Sequence, residues 1–176
     1  TSMGYAARRA GALPMIEILD PHLYGPGERF EPNCWAQQRF LLSDAPDLLY
    51  SGHLGSAKTR SLAEKAHLRC GLCPGSRVVV GRRYRDHLGN TTIAMLKDRV
   101  VTPGHWDHGW RRADDGGSSL HYPNGSEIWF VGFDNPQRLL SAEVDLVLIE
   151  QAEEVTEEMW DHASGRLRRP TVAYWQ

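Results

Sequence analysis

Features that would point to particular classes of protein are scarce or missing in this chain of 176 residues. Its three cysteines are an odd number, which argues against a disulfide framework. No apolar run approaches the roughly 20 residues that span a bilayer, and nothing near the first residue resembles a signal peptide. The formal net charge of −2 gives the chain no general attraction for nucleic acid. These absences favour an intracellular globular protein whose contacts with DNA, if any, come from local patches.

The potential metal ligands do not form a set that favours zinc. Cys70 and Cys73 make a single C-x-x-C, and a zinc site would need two more ligands at suitable spacing. Because glycine and proline surround the pair, we interpret it as a helix end followed by a turn. We interpret His105 and His108, in "HWDH", as part of an exposed loop rather than a metal site.

Three apolar runs predict buried strands. They are "DLLYSG", which ends at Gly52, "SRVVVGRRY", and "VDLVLIE", which ends at Glu150. Alternating residues on either side of Asn124-Gly125 predict a hairpin, because that dipeptide favours a tight turn. Since helical segments lie between the strands, the pattern indicates an α/β domain with a largely parallel sheet.

Helical spacing is present in four segments. Helices are predicted in "CWAQQRFLL", in "TTIAMLKDRVV", from Lys58 onwards, and after Thr156, which can cap the last of them. The expected buried stripes are Leu62, Ala63, Ala66 and Cys70 in the helix from Lys58, and Met159, Trp160, Ala163 and Leu167 in the last helix. Prolines and glycines between residues 11 and 33 predict an extended segment ahead of the first helix.

The stretch "SGHLGSAKT" nearly matches the phosphate-binding pattern G-x-x-x-x-G-K-[ST]. A preceding strand and a following helix would direct backbone N–H groups and the helix N-terminus at the phosphates. Lys58 is expected to reach the β- and γ-phosphates, and Thr59 to hold Mg²⁺. Ala57 replaces a glycine, which is tolerable if its φ is negative. The loop residues expected to bind ATP are Gly52, Gly55, Ser56, Ala57, Lys58 and Thr59.

A nucleotide site of this kind also needs a carboxylate at the end of a neighbouring strand and a group that orients the attacking water. "VDLVLIEQAEE" offers Glu150 for the Mg²⁺ shell and Gln151 near the water. A glutamine can orient water but cannot accept its proton, and the loss of a general base costs about 10²–10⁴ in rate. Glu153 and Glu154 are alternative carboxylates, unless they form a solvated acidic face.

Over most of residues 34–170, the chain resembles the ATPase domain of the large terminase subunit of tailed phages. The resemblance rests on "GHLGSAKT" as the Walker A loop and on the stretch from "YPNGSEIWFVGF" through "VDLVLIEQAEE" to "RLR". It implies a three-layer α/β P-loop NTPase of the additional-strand, catalytic-glutamate class, with a central, mostly parallel sheet. The residues themselves predict a cloning remnant at 1–3, in "TSMG", and an extended segment at 4–33. The resemblance assigns 34–176 to the ATPase domain, without the C-terminal nuclease of the complete subunit.

The resemblance also implies a function. The implied protein is an ATPase that forms a homo-oligomeric ring on the portal of the procapsid and drives double-stranded DNA inward. Its substrate would be ATP and its cofactor Mg²⁺. The implied partners are DNA, the portal protein and the small terminase subunit, and the isolated chain is expected to be monomeric. The implied location is the host cytoplasm and, transiently, the portal, but neither the mature virion nor a membrane.

Several site residues are assigned by the resemblance alone. Gln37 or Gln38 matches the glutamine that touches adenine in the family, and the spacing to Phe40 favours Gln37. Gln151 stands where the family has its catalytic glutamate.

The family often has an arginine within Walker A, where this chain has His53 and Leu54. The finger arginine must then come from elsewhere, and Arg138 is the first choice. The runners-up are Arg82, Arg83 and Arg85. The dipole of the last helix favours cations near its C-terminus, which is a sufficient reason for arginines there. Arg166, Arg168 and Arg169 are therefore not assigned as DNA contacts.

Two alternatives stay open at this point. One is a helicase-like or nucleotide-kinase P-loop protein, although the "RLR" signature and the long hairpin argue against a small kinase. The other is a ring component that binds nucleotide without hydrolysing it, an option favoured by Ala57 and Gln151.

Overall fold

The computed structural model describes residue 32 and residues 34–101, 109–112, 118–135 and 143–167. The helices are α1 (Trp35–Leu42), α2 (Lys58–Leu72), α3 (Thr92–Met95, continued by a π-helical turn at Leu96–Val100) and α4 (Glu157–Ser164). The strands are β1 (Arg77–Arg82), β2 (Gly109–Arg112), β3 (Ser118–His121), β4 (Glu127–Gly132) and β5 (Leu146–Ile149). Short 3₁₀ turns lie at Arg85–Leu88 and Ala152–Glu154.

The five strands form one sheet in the order β2-β3-β4-β1-β5. Strand β1 is parallel to both β4 and β5, whereas β3 is antiparallel to β4 and to β2. Four of the five strands therefore run in one direction. The predicted α/β class with a mostly parallel sheet is confirmed.

Helices cover both faces of the sheet, which gives the expected three layers. Val78 and Val80 of β1 belong to the main core, which α2 and α3 close from one side. Val79 points the other way and packs with Phe133 and with Ala163 of α4. Because successive side chains of a strand alternate between faces, a strand buried on both sides reads as an unbroken apolar run. That is why "VVV" predicted β1 correctly.

The predicted hairpin is also present. Strand β3 pairs antiparallel with β4, so that Leu120 faces Ile128. At the turn, Gly125 has a φ of +83°, which glycine adopts without strain. The Asn124 amide donates to the carbonyl of Cys70 at 2.8 Å and so ties the hairpin to the end of α2.

The predicted strand at "DLLYSG" is wrong. Residues 47–52 form no strand, and the side chains of Leu48 and Leu49 are 40% and 80% exposed. Tyr50 is anchored in the fold by stacking on Phe40, at 5.0 Å between ring centroids. The run lacks the β-branched residues that favour strands. Among the described residues, β5 also has no partner on its edge away from β1.

The last helix agrees with its prediction only in part. Thr156 caps α4, because its hydroxyl accepts a hydrogen bond from the Met159 N–H at 3.4 Å. Met159 and Ala163 face the sheet, one turn apart. Trp160 and Leu167 were expected in the same stripe and are instead 43% and 42% exposed. Trp160 is turned away because it lies one residue after Met159, and Leu167 lies beyond the helix, which ends at Ser164.

The other predicted helices are confirmed as α1, α2 and α3, and the stripe of α2 is buried. Cys70 and Cys73 lie at the end of α2 and at its C-cap, as interpreted, and burial raises the pKa of both thiols. Arg138, the "HWDH" histidines and the segment 11–33 apart from Pro32 lie outside the described residues.

Candidate nucleotide site

The loop of residues 51–57 leads directly into the N-terminus of α2. Gly55 has a φ of +80°, and the Ser56 N–H closes a turn onto the His53 carbonyl at 3.2 Å. A side chain at Gly52 would come within 2.7 Å of the Ser56 hydroxyl oxygen, so glycine is what lets the loop close. That hydroxyl is buried and has no hydrogen-bond partner among the described residues. The loop therefore offers a small polar cradle at a helix N-terminus, which suits a phosphate group.

Lys58 folds back over this loop. Its ammonium group donates to the carbonyls of Gly52 at 2.7 Å and His53 at 2.9 Å. A lysine ammonium has three donors, so one remains for a phosphate oxygen. The contact of Lys58 with the phosphates stays a prediction.

Ala57 does not meet the condition of a negative φ under which alanine would be tolerated without strain. It is in the left-handed region at φ 57° and ψ 29°. This conformation turns its carbonyl into the helix, where it accepts from the N–H and the hydroxyl of Ser61, both at 2.9 Å. An L-residue pays about 1–2 kcal/mol for this geometry, which glycine would avoid. The left-handed conformation at residue 57 therefore explains why the usual pattern has glycine at this position.

Thr59 in the first turn of α2 and Thr91 at the N-cap of α3 both contact the carboxylate that follows β5. The Thr59 hydroxyl donates to Glu150 Oε1 at 3.0 Å, and the Thr91 hydroxyl lies 2.7 Å from Glu150 Oε2. Glu150 is only 6% exposed, and its N–H bonds the Gly81 carbonyl at 2.8 Å. The start of α2 and the acid that follows β5 therefore meet in the structure.

These oxygens suit Mg²⁺. The ion prefers hard oxygen ligands, keeps several waters, and is usually held by one or two carboxylates together with substrate phosphates. Among the described residues no group of three His, Cys, Asp or Glu side chains forms a complete metal cage. Thr59 and Glu150 are therefore a donor set that would bind the ion jointly with a nucleotide.

Residues 47–174 match the family model described as phage terminase large subunit. The chain belongs to the phage terminase large subunit family. It is 44% identical to the PBSX phage terminase large subunit of Bacillus subtilis (strain 168) over 125 residues, which are 69% of this chain and 28% of that relative.

Among solved structures, the fold is similar to the large terminase of a thermophilic bacteriophage. The TM-score is 0.60 at 12% identity, over 77% of this chain and 36% of that one. At this identity the likeness shows a shared fold. In the part of the terminase chain that the structure describes, no helix combines the length and apolarity needed to cross a membrane.

Gln151, which follows the strand-end acid, is exposed and also adopts a left-handed conformation, with a φ of 53°. Its carbonyl accepts from the Glu154 N–H at 3.0 Å, which closes a 3₁₀ turn. Glu154 is not part of a solvated acidic face. The Arg82 guanidinium donates two hydrogen bonds to the Glu154 carboxylate, from Nε to Oε2 at 3.0 Å and from Nη2 to Oε1 at 2.7 Å. Glu153 is exposed.

The predicted adenine residue lies behind the loop. Gln37 is 1% exposed, and its amide nitrogen donates to the Ser61 hydroxyl at 2.7 Å. Ser61 in turn bonds the Ala57 carbonyl, so Gln37 supports the loop through α2. Its contact with adenine stays a prediction.

The runner-up arginines already have partners. Arg82 is paired with Glu154, Arg83 lies over the Tyr84 ring at 5.1 Å, and Arg85 donates to the Ser118 hydroxyl at 3.1 Å. Arg138, the first choice for the finger, lies outside the described residues, and its role stays a prediction.

A cleft of about 300 Å³ opens beside Thr59. Its lining residues are Thr59, Asn90, Thr91, Ala94, Met95, Asp98 and Arg99. Sequence reasoning missed Asn90 and Thr91. Their position in the sequence could have identified them, because they follow the buried strand β1. The carboxyl ends of parallel strands lie at the sheet edge that commonly holds ligands.

Proposed function

We propose that this chain is the ATPase part of a DNA-packaging motor, which hydrolyses ATP to translocate double-stranded DNA into the procapsid. The observation that carries the proposal is the hydrogen bond between Thr59, at the start of α2, and Glu150, at the end of β5. A phosphate loop joined to a strand-end acid is the arrangement that nucleotide hydrolysis requires. Membership of the terminase family supplies the link to DNA.

The loop residues would hold the triphosphate. Lys58 would keep the loop closed and direct its third donor at a phosphate oxygen, while the N–H groups at the start of α2 face the phosphates. Thr59 and Glu150 would hold Mg²⁺, which neutralises charge that develops on the β- and γ-phosphate oxygens. Gln37 is the proposed contact for adenine.

The hydrolytic step depends on positioning. Gln151 would orient the attacking water, since an amide can donate to and accept from it but cannot remove its proton. Arg138, presented to a neighbouring subunit, is the proposed finger, and such an arginine contributes roughly 10³–10⁵ in rate. We therefore expect slow turnover by the monomeric chain and faster turnover in a homo-oligomeric ring on the portal, with DNA and small terminase as the other partners.

A second function is favoured by one observation. Gln151 replaces the acid that would accept the proton of the attacking water, so the chain could bind ATP as a ring component without hydrolysing it. The ATPase and the non-hydrolysing ring component would use the same binding site and would differ only in ATP turnover.

Equilibrium binding of a fluorescent ATP analogue tests the site, with Lys58→Met as the variant and Lys97→Met as the control. Lys97 is exposed, and its ammonium group lies over the Trp110 ring. We expect Lys58→Met to weaken binding strongly and Lys97→Met to bind as the natural chain does. The site assignment fails if the natural chain does not bind ATP.

Turnover is then compared between the natural chain and Gln151→Glu. If both bind ATP and only the glutamate form hydrolyses it, residue 151 is the catalytic position and the natural chain is a non-hydrolysing module. Slow turnover by the natural chain that rises in Gln151→Glu supports the ATPase proposal. Brisk turnover that the glutamate does not increase would contradict the role given to Gln151.

A further inference from the structure

Thr91 holds the second oxygen of the strand-end acid. Its hydroxyl oxygen lies 2.7 Å from Glu150 Oε2, while Thr59 donates to Oε1 at 3.0 Å. The two oxygens of one carboxylate are thus divided between two hydroxyls from different elements. The last torsion of a glutamate side chain is broad and roughly two-fold, so a carboxylate held at one oxygen only would still rotate.

We propose that Thr91 is a positioning residue, which fixes the Glu150 carboxylate so that Oε1 faces Thr59 and the cation shell. The inference deepens the proposed function and rests on it. The Thr91 hydroxyl bonds Glu150 and the His87 carbonyl and, among the described residues, no group of the predicted phosphate loop. Its proposed effect therefore passes through Glu150, beside the cleft that Thr91 and Thr59 both line.

The proton of this hydroxyl has two possible acceptors. Thr91 Oγ1 also lies 2.9 Å from the His87 carbonyl, and a hydroxyl has a single proton to donate. A carboxylate is the stronger acceptor, because hydrogen bonds to charged groups are shorter and stronger than neutral ones. The 2.7 Å contact to Glu150, shorter than the one to His87, agrees with donation to Glu150. Removing the hydroxyl would leave Oε2 of a buried carboxylate without this donor.

The adjacent residue provides a matched control. Thr92 is fully buried, and its hydroxyl has no hydrogen-bond partner among the described residues. Thr92→Val therefore makes the same chemical change one position along the chain, without touching Glu150. Thr91→Ser keeps the hydroxyl and removes only the methyl group.

The experiment measures the affinity of a fluorescent methylanthraniloyl-ADP in Mg²⁺ and in EDTA, for the natural chain and the three variants. The quantity compared is the gain in affinity that Mg²⁺ provides. We expect Thr91→Val to reduce that gain about 10-fold, as is typical when the partner of a metal-site residue is lost. Affinity in EDTA should not change, Thr91→Ser should restore the gain, and Thr92→Val should leave it intact.

Other results would overturn the inference in distinguishable ways. An undiminished Mg²⁺ gain in Thr91→Val removes the positioning role while the proposed function stands. Equal losses in Mg²⁺ and EDTA, with a lower melting temperature and no recovery in Thr91→Ser, would make Thr91 a structural residue only. If the natural chain binds no nucleotide in either condition, the proposed function fails, and this inference with it.

Discussion

Thr59 and Glu150 are 91 residues apart in the sequence and share a hydrogen bond of 3.0 Å. Thr59 lies in the first turn of a helix that packs against the sheet, and Glu150 follows a strand of that sheet. Because β1 is parallel to β5 and its Gly81 carbonyl accepts the Glu150 N–H, the acid is fixed at the edge where the phosphate loop lies. The fold thus joins two motifs that are far apart along the chain.

Glu150→Gln should weaken Mg²⁺-dependent nucleotide binding by about 10–100-fold, the usual cost of losing a residue that supports a metal site. The amide keeps the size of the side chain but removes the charge that faces Thr59. Titration of Mg²⁺ at fixed nucleotide concentration measures the change. Glu153→Gln is the control, since Glu153 is an exposed acid close by, and it should behave as the natural chain does. A similar loss in both variants would argue for a general charge effect instead.

Ala57→Gly should stabilise the protein by about 1 kcal/mol, because glycine adopts the left-handed conformation without the strain of a Cβ. For a chain of this size that gain corresponds to about 2–4 °C in melting temperature. Differential scanning calorimetry checks it. Ala94→Gly is the opposite control, since Ala94 lies within helix α3, where glycine costs about 1 kcal/mol. A fall in stability for Ala57→Gly would mean that residue 57 is not held at positive φ in solution.

Much of the fold could be predicted from the sequence because its signals are local. The "VVV" run, the Asn124-Gly125 turn and the Thr156 cap each specify their element within a few residues. The strand prediction for "DLLYSG" was wrong because an apolar run forms a strand only when a neighbouring strand can pair with it. The predicted burial of Trp160 was wrong because a short helix on the surface buries only a narrow stripe of side chains, and Trp160 lies outside that stripe.

Motif spacing could predict that Thr59 and Glu150 lie near each other, whereas the roles of Lys58, Thr59 and Glu150 towards ATP and Mg²⁺ stay predictions. Two other features depend on tertiary structure. The φ of Ala57 is set by how the loop enters α2, and Thr91 reaches Glu150 only because β1 and β5 are neighbours. The pairing of Arg82 with Glu154 likewise joins residues 72 positions apart.

Arg82 and Glu154 should show a coupling energy of about 1 kcal/mol or more in a double-mutant cycle, at the upper end for surface pairs. Their two-point geometry and partial burial favour this, since the side chains are 13% and 32% exposed. The variants are Arg82→Gln, Glu154→Gln and the double change, measured by urea unfolding.

Arg85 and Asp86 provide the comparison for this cycle. Their contact is 3.6 Å and the Asp86 side chain is 94% exposed, so the coupling should be smaller. A coupling near zero for Arg82 and Glu154, no larger than that for Arg85 and Asp86, would show that the Arg82–Glu154 contact does not stabilise the turn after Gln151.

Lys65 should make stability depend on pH in the alkaline range. Its ammonium group is buried against the end of α1 and donates to the carbonyls of Phe40 and Ser43, both at 2.8 Å. Burial lowers the pKa of Lys65 from 10.5 to about 8. Between these two values the unfolded chain binds the proton more tightly than the folded one, so the free energy of unfolding rises with pH across that window and falls as the pH is lowered towards 8.

From pH 7 to about 9.5 the natural chain should gain about 2 kcal/mol from this residue. Urea unfolding at the two pH values measures the gain, and comparison with Lys65→Met isolates it, because every other titrating group is common to both chains. Lys65→Met should also be less stable at pH 7, since the α1 carbonyls lose their donor. The exposed Lys97 is the control, and Lys97→Met should keep the full alkaline gain. If Lys65→Met gains as much as the natural chain over this pH range, the Lys65 ammonium group titrates normally in the folded protein.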